Sequence, residues 1–127
     1  PTTDIYTLTL HDALPIWFLY SMQRLNVLQI LNKYGQVGVI ALSAATPIES
    51  GRAAASWFYK VGQIRGVYFI DWCNSDIENG YPVVIGLQYG HGTGTGGFVQ
   101  GRDFINPAIR PIFDDIANEV WRAVTSA

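Results

Sequence analysis

The chain has 127 residues, 49% of them apolar, with eight basic side chains, ten acidic ones and a single cysteine. That length makes one small domain with one core. The charge balance excludes an electrostatic footprint for wrapping nucleic acid, and the lone Cys73 excludes an intrachain disulfide. The longest apolar stretch is broken by Asn26, Asn32 and Lys33, which excludes a bilayer-spanning segment there.

Residues 1–16, PTTDIYTLTLHDALPI, alternate apolar and polar side chains from Ile5 to Leu10, turn polar at His11 and Asp12, and stop at a proline. This is the pattern of an edge strand. With Asp4, Asp12 and no basic residue before Arg24, the stretch is neither a secretory signal nor a transit peptide. It also resembles a translated high-throughput sequencing adapter, which in one frame reads ATTEIY followed by TLSLHDALPI; the chain differs only at Pro1, Asp4 and Thr9. That resemblance implies that residues 1–16 are an artefact outside the domain, which then covers residues 17–127 and is truncated at its N-terminus. Deleting the segment should then change stability very little. Without Asp4 and Asp12 the remainder is formally neutral, a balance that favours association.

Asn26 with Gln29 resembles a capping box, and Val27, Leu28, Leu31, Tyr34, Gly38, Ala41, Leu42 and Ala45 follow at three- and four-residue spacing. One helix is predicted there, ending at Thr46-Pro47 because the residue before a proline avoids the helical region. Gly35 and Gly38 lie on or near its apolar stripe, where they let another part of the chain come close. The segments SWFYKVG (residues 56–62) and GVYFIDWC (66–73) read as strands joined by a hairpin turn. After the turn formers of NSDIENGYP, the run VVIGLQYG (83–90) reads as a third strand, so that three strands in sequence make an antiparallel meander. Finally, Asn106 as N-cap and Pro107 as first helical residue open an amphipathic helix. Ile109, Ile112, Phe113, Ile116, Val120 and Val124 form its apolar face, opposite Arg110, Asp114, Asp115, Asn118, Glu119 and Arg122.

Between the third strand and that helix lies YGHGTGTGGFVQGRDF, residues 89–104. Gly92, Gly94 and Gly97 satisfy G-x-G-x-x-G, but no helix opens at the third glycine and the strands are antiparallel, so the dinucleotide fingerprint lacks its context. A phosphate-binding loop needs a lysine after the glycines, and none follows. His91 is the one histidine beyond residue 16; it could pair with Asp103, yet no serine or cysteine stands near it as a nucleophile. Cys73 reads as a small buried apolar side chain. No catalytic residue, metal ligand or cofactor site is assigned.

The segments LNKYGQVGVIALSAATPIESGRAAASWFY and NSDIENGYPVVIGLQYGHGTGTGGFVQGRDFINPAIRPIFDDIANEVW together resemble the neck and tail-completion proteins of tailed bacteriophages and prophages. These are the minor tail protein Z-like and minor capsid families. The resemblance covers about residues 22–125, most specifically in ATPIESG, LQYGHGT and GRDFINPAI. Family members usually carry aspartate where Glu49 stands and often arginine where Gly94 stands, so a charge-dependent docking role of that loop is in doubt here. They also tend to begin with a strand upstream of the first helix, of which residues 17–20 are the expected remnant or the following segment.

The resemblance implies a structural virion protein without enzymatic activity or cofactor, joining head to tail or completing the tail. It would act as a ring of copies against neighbouring neck or tail proteins, with no membrane or sequence-specific nucleic-acid partner, assembled in the bacterial cytoplasm and resident in the virion. Gly90, His91, Gly92, Thr93, Gly94, Thr95, Gly96, Gly97 and Arg102 are the candidate assembly-interface loop. The alternatives are a small ligand binder or enzyme using the His91 loop, and a host-directed interaction module. The expected fold is α+β: an N-terminal helix, an antiparallel sheet of three or four strands, the glycine-rich loop, and a C-terminal helix packed on the sheet.

Overall fold

Strand β2 (Trp57–Ile64) turns directly into β3 (Val67–Asn74), and the two pair antiparallel from Ile64 opposite Val67 to Trp57 opposite Asn74. Arg65 and Gly66 between them both have positive φ, 53° and 81°, the backbone that a two-residue hairpin matching strand twist requires. The predicted hairpin is present. In this computed structural model residues 4–9, 24–47 and 51–125 are described, without the side chains of Asp4, Arg24, Leu25, Asn26 and Val124. Residues 17–20 and Glu49 lie outside them.

The third strand of the sheet is not the predicted one. It is β1 (Asp4–Thr9), which pairs antiparallel with β3 to give the order β1-β3-β2. Leu8, opposite Ile70, is buried in the core, and Tyr6, opposite Trp72, packs its ring 5.2 Å from Phe113. On the other face the Thr7 hydroxyl donates to the buried Asp71 carboxylate at 2.7 Å. Residues 4–9, placed outside the domain on the adapter resemblance, thus pair with its central strand, which counts against setting them aside. The physical reason is the alternation itself: an apolar side chain at every second position is what the open edge of β3 accepts.

Above the sheet lies α1 (Arg24–Ala45). It begins two residues before the expected cap, so Asn26 sits inside the helix. It ends where predicted: the Thr46 amide and hydroxyl both donate to the Leu42 carbonyl, at 3.0 and 2.6 Å. The same hydroxyl accepts a hydrogen bond from Trp57 Nε1 at 2.9 Å, tying the helix end to the start of β2. Gly35 and Gly38 do permit close approach. A β-carbon at Gly35 would collide with the Tyr59 ring and one at Gly38 with the Trp72 indole, whose Nε1 donates to the Gly35 carbonyl at 3.1 Å. Gly38→Val is therefore expected to cost about 1 to 3 kcal/mol as overpacking, read as a lower denaturation midpoint in urea. An unchanged midpoint would mean that Trp72 is not seated there.

A short helix α2 (Gly51–Ala54) precedes β2. After β3, the Asn74 amide donates to the Ala53 carbonyl at 2.8 Å and its oxygen accepts the Asp76 amide at 2.9 Å. The buried Asp76 carboxylate faces Arg52 Nε at 3.5 Å, an electrostatic pair without hydrogen-bond geometry. The predicted turn segment then folds as a minimal hairpin of β4 (Ile77–Glu78) and β5 (Tyr81–Pro82), with positive φ at Asn79 and Gly80.

The run predicted as a third strand is a helix, α3 (Val83–Tyr89). A short apolar run does not distinguish strand from buried helix by itself. Here tertiary contacts decide: Val84 and Gln88, one turn apart, are both buried, and the Gln88 amide reaches the next helix. That helix, α4 (Ile105–Thr125), begins before Asn106, so Asn106 is not its N-cap. Gln88 Oε1 accepts the amides of Phe104 and Ile105 at 3.0 and 3.1 Å, and Asp103 Oδ1 accepts that of Asn106 at 3.2 Å. These acceptors satisfy donors that the first turn of a helix leaves open.

Ile109, Ile112, Ile116 and Val120 of α4 are buried as predicted, and Phe113 contacts Trp72 as well as Tyr6. The C-terminal helix thus packs on the sheet, and it also runs against α1. The fold is α+β.

Across the two helices Lys33 Nζ meets both Glu119 carboxylate oxygens, at 2.8 and 3.1 Å. The Glu119 hydrogen bond raises the lysine pKa above 10.5, and the hydrogen bonds from Lys33 and then Tyr34 hold Glu119 below 4.5. The lysine contribution is complete below its unfolded pKa and fades as pH rises through the folded one. That of the glutamate is complete above its unfolded value and fades as pH falls through the folded one. The pair should therefore stabilise the fold fully between about pH 4.5 and 10.5 and lose that contribution outside this window. Glu119→Gln is expected to flatten this part of the acid limb in denaturation midpoints measured against pH.

Candidate interaction site

The glycine-rich segment, expected as a loop, folds as a two-stranded ribbon. Strands β6 (Gly90–Gly92) and β7 (Phe98–Gln100) pair antiparallel, with His91 opposite Val99 and Gly92 opposite Phe98. Residues 93–97 close it: the Thr93 amide donates to the Gly97 carbonyl at 3.1 Å, and the Gly97 amide donates to the Thr93 hydroxyl at 3.1 Å. Gly94 and Gly96 have φ of 81° and 90° with open space around them, so the turn uses their backbone freedom and not their small size.

Close packing governs the ribbon's base instead. A β-carbon at Gly101 would strike the backbone of Gln88, Tyr89 and Gly90, and one at Gly90 would strike the Phe98 ring and the Val99 carbonyl. The Arg102 amide donates to the Leu87 carbonyl at 3.1 Å, fastening the return strand to α3. Directly opposed residues of a ribbon share a face, so His91 and Val99 lie on one side and Phe98, seated over Gly90, on the other.

The His91 side lines a cleft of about 510 Å³. Its other wall is the end of α1 from Ala44 to Pro47, with Gly86 and Leu87 of α3, and Gln100 and Arg102 complete it. The absence of a side chain at Gly86 lets the imidazole lie against α3: a β-carbon there would sit 3.5 Å from His91 Nδ1. Phe98 on the opposite side is 65% exposed, and Tyr89 at the end of α3 is 70% exposed.

Of the residues assigned from sequence, Gly90 to Gly97 form the ribbon and its tip, and His91 and Arg102 share the cleft. Asp103, weighed as a partner for His91, does not join them. Its Oδ1 accepts from Gln88 Nε2 at 2.6 Å and from Asn106, and these hydrogen bonds, the Gln88 one foremost, hold its carboxyl below the ordinary range. Asp103 is thereby a helix-start residue. Gln88 escaped the sequence reading; the only signal for it was a lone amide inside an apolar run. Cys73 is buried. Among the described residues, no group of three histidine, cysteine or acidic side chains could hold a metal ion, and no helix is long and apolar enough to cross a membrane.

The segments that carry the phage resemblance thus map to helix ends and to the ribbon: Thr46 closes α1, Gln88 and Asp103 open α4, and Gly90 and Gly101 set the ribbon's base. No protein-family model matches this chain, and neither does any curated protein or solved structure.

Proposed function

We propose that this chain is a structural virion-assembly protein of a tailed phage or prophage, acting in head-tail joining or tail completion as a ring of copies in contact with neighbouring neck or tail proteins. The resemblance in ATPIESG, LQYGHGT and GRDFINPAI motivates this reading. The observation that carries it is the exposure of two large aromatic side chains, Phe98 on the ribbon and Tyr89 at the end of α3 where the ribbon starts. Exposed large aromatic side chains favour contact with another protein, because covering them removes apolar surface from water. In this reading the chain performs no chemistry, binds no cofactor, and resides in the virion after assembly in the bacterial cytoplasm.

The test is the yield of joined particles in a phage complemented with variants of this chain. Gly94→Val with Gly96→Val places β-branched residues at left-handed backbone positions, so the tip must refold. Strain at these two backbone positions should cost on the order of 1 to 3 kcal/mol each unless the exposed tip rearranges, while the core, which neither position touches, stays folded. Particle joining should nevertheless fall. His91→Asn, which keeps a hydrogen-bond donor, should leave joining largely intact. If His91→Asn abolished joining while the double valine variant worked normally, the assembly reading would give way to a site that uses the imidazole.

A further inference from the structure

The cleft beneath the ribbon differs from the other surfaces in its charge. Among the described residues that line it, His91, Gln100 and Arg102 are accompanied by no carboxylate, and Leu87, Val99 and Pro47 supply an apolar wall. Among the described residues neither His91 nor Arg102 has a side-chain hydrogen bond or ion pair. The nearest acid in sequence, Asp103, is engaged by Gln88 and Asn106 and lines an adjoining cleft that Arg102 also borders. A guanidinium and two further donors next to apolar side chains complement a carboxylate carried on an apolar segment.

We propose that this cleft binds a carboxylate side chain on a short apolar peptide segment of a neighbouring protein. Arg102 is the charged contact, His91 and Gln100 are further hydrogen-bond donors, and Leu87 and Val99 receive the flanking apolar side chain. The inference rests on the joining reading for the source of the segment, and it assigns the ribbon's two faces separate tasks. The Phe98 side offers apolar cover and the His91 side reads an acid. The competing role for Arg102 is purely local: Ala44 and Ala45 at the end of α1 leave carbonyls and a negative dipole end that favour a nearby cation.

Two probe peptides separate these roles: acetyl-Leu-Asp-Leu-amide and acetyl-Leu-Asn-Leu-amide, titrated into the full chain and followed by backbone amide NMR shifts. Saturable shifts should appear at Leu87, His91, Val99 and Arg102. The aspartate peptide should bind about tenfold more tightly than its asparagine counterpart, the margin of a charge-assisted contact. Arg102→Gln should bring that ratio close to one while the shifts of α4 stay in place, showing that the fold is intact. Equal affinity for the two peptides, no saturable shift at these residues, or a preference that survives Arg102→Gln would each overturn the proposal. The outcomes are distinct from those of the joining test. Failure of peptide binding alongside impaired joining by the double valine variant would remove the acid site and leave the assembly reading standing. Peptide binding alongside normal joining by that variant would remove the ribbon's assembly role and leave the site.

Discussion

Leu8→Ala is expected to lower the unfolding free energy by about 2 to 5 kcal/mol, the range for large-to-small changes in a packed core. Leu8 is only 5% exposed and stands opposite the fully buried Ile70 of the central strand. Removing its side chain opens a gap that the sheet below and the helices above cannot both close. Its neighbours hold the segment from either face, Tyr6 against the Phe113 ring of α4 and Thr7 through the Asp71 carboxylate of β3. Deleting residues 1–16 should cost at least as much, because β3 would lose one of its two pairing partners and the buried Asp71 would lose the Thr7 hydroxyl that donates to it at 2.7 Å. Guanidinium denaturation of both variants checks this. A change in either within about 0.5 kcal/mol would return the segment to the status its adapter resemblance implies.

The second large effect is expected at the other layer. Ile116→Ala should cost about 2 to 5 kcal/mol, because Ile116 is fully buried on the inner face of α4. Arg122→Ala, on the exposed face, should stay within about 0.5 kcal/mol. The contrast between the two is the measurement: equal costs would mean that the helix presents a different face to the core. In the ribbon experiment, likewise, a variant that loses joining while its core stays folded acts on contacts between molecules.

The amphipathic stripe of α4, the hairpin from β2 to β3 and the end of α1 at Thr46-Pro47 were all legible in the residues. Each follows from a local cause: a 3.6-residue period, a two-residue turn with positive φ, the steric veto before a proline. The close approach at Gly35 and Gly38 was legible too, because glycine in an apolar helix stripe has few other uses. What occupies the space above them, Tyr59 and Trp72, came only with the fold.

The candidate site divides in the same way. Five glycines in eight residues marked the segment, but its pairing as a ribbon depends on Gly101 fitting against the backbone of Gln88 to Gly90 and on Gly90 fitting beneath Phe98 and Val99, contacts that no periodicity encodes. His91 and Arg102 meet across eleven positions because the ribbon folds back on α3, whereas Asp103, next in sequence to Arg102, is drawn away by an amide on another helix.

By itself, then, the sequence determined the α+β class, two of the three strands of the main sheet and both long helices, since those rest on interactions between near neighbours along the chain. Tertiary structure alone decided that residues 83–89 are a helix and that residues 4–9 supply the remaining strand. A seven-residue apolar run has no stable conformation of its own and takes the one in which Gln88 can satisfy the start of α4. An open strand edge, likewise, is filled by whichever alternating segment reaches it, because backbone pairing is indifferent to the origin of the residues that provide it.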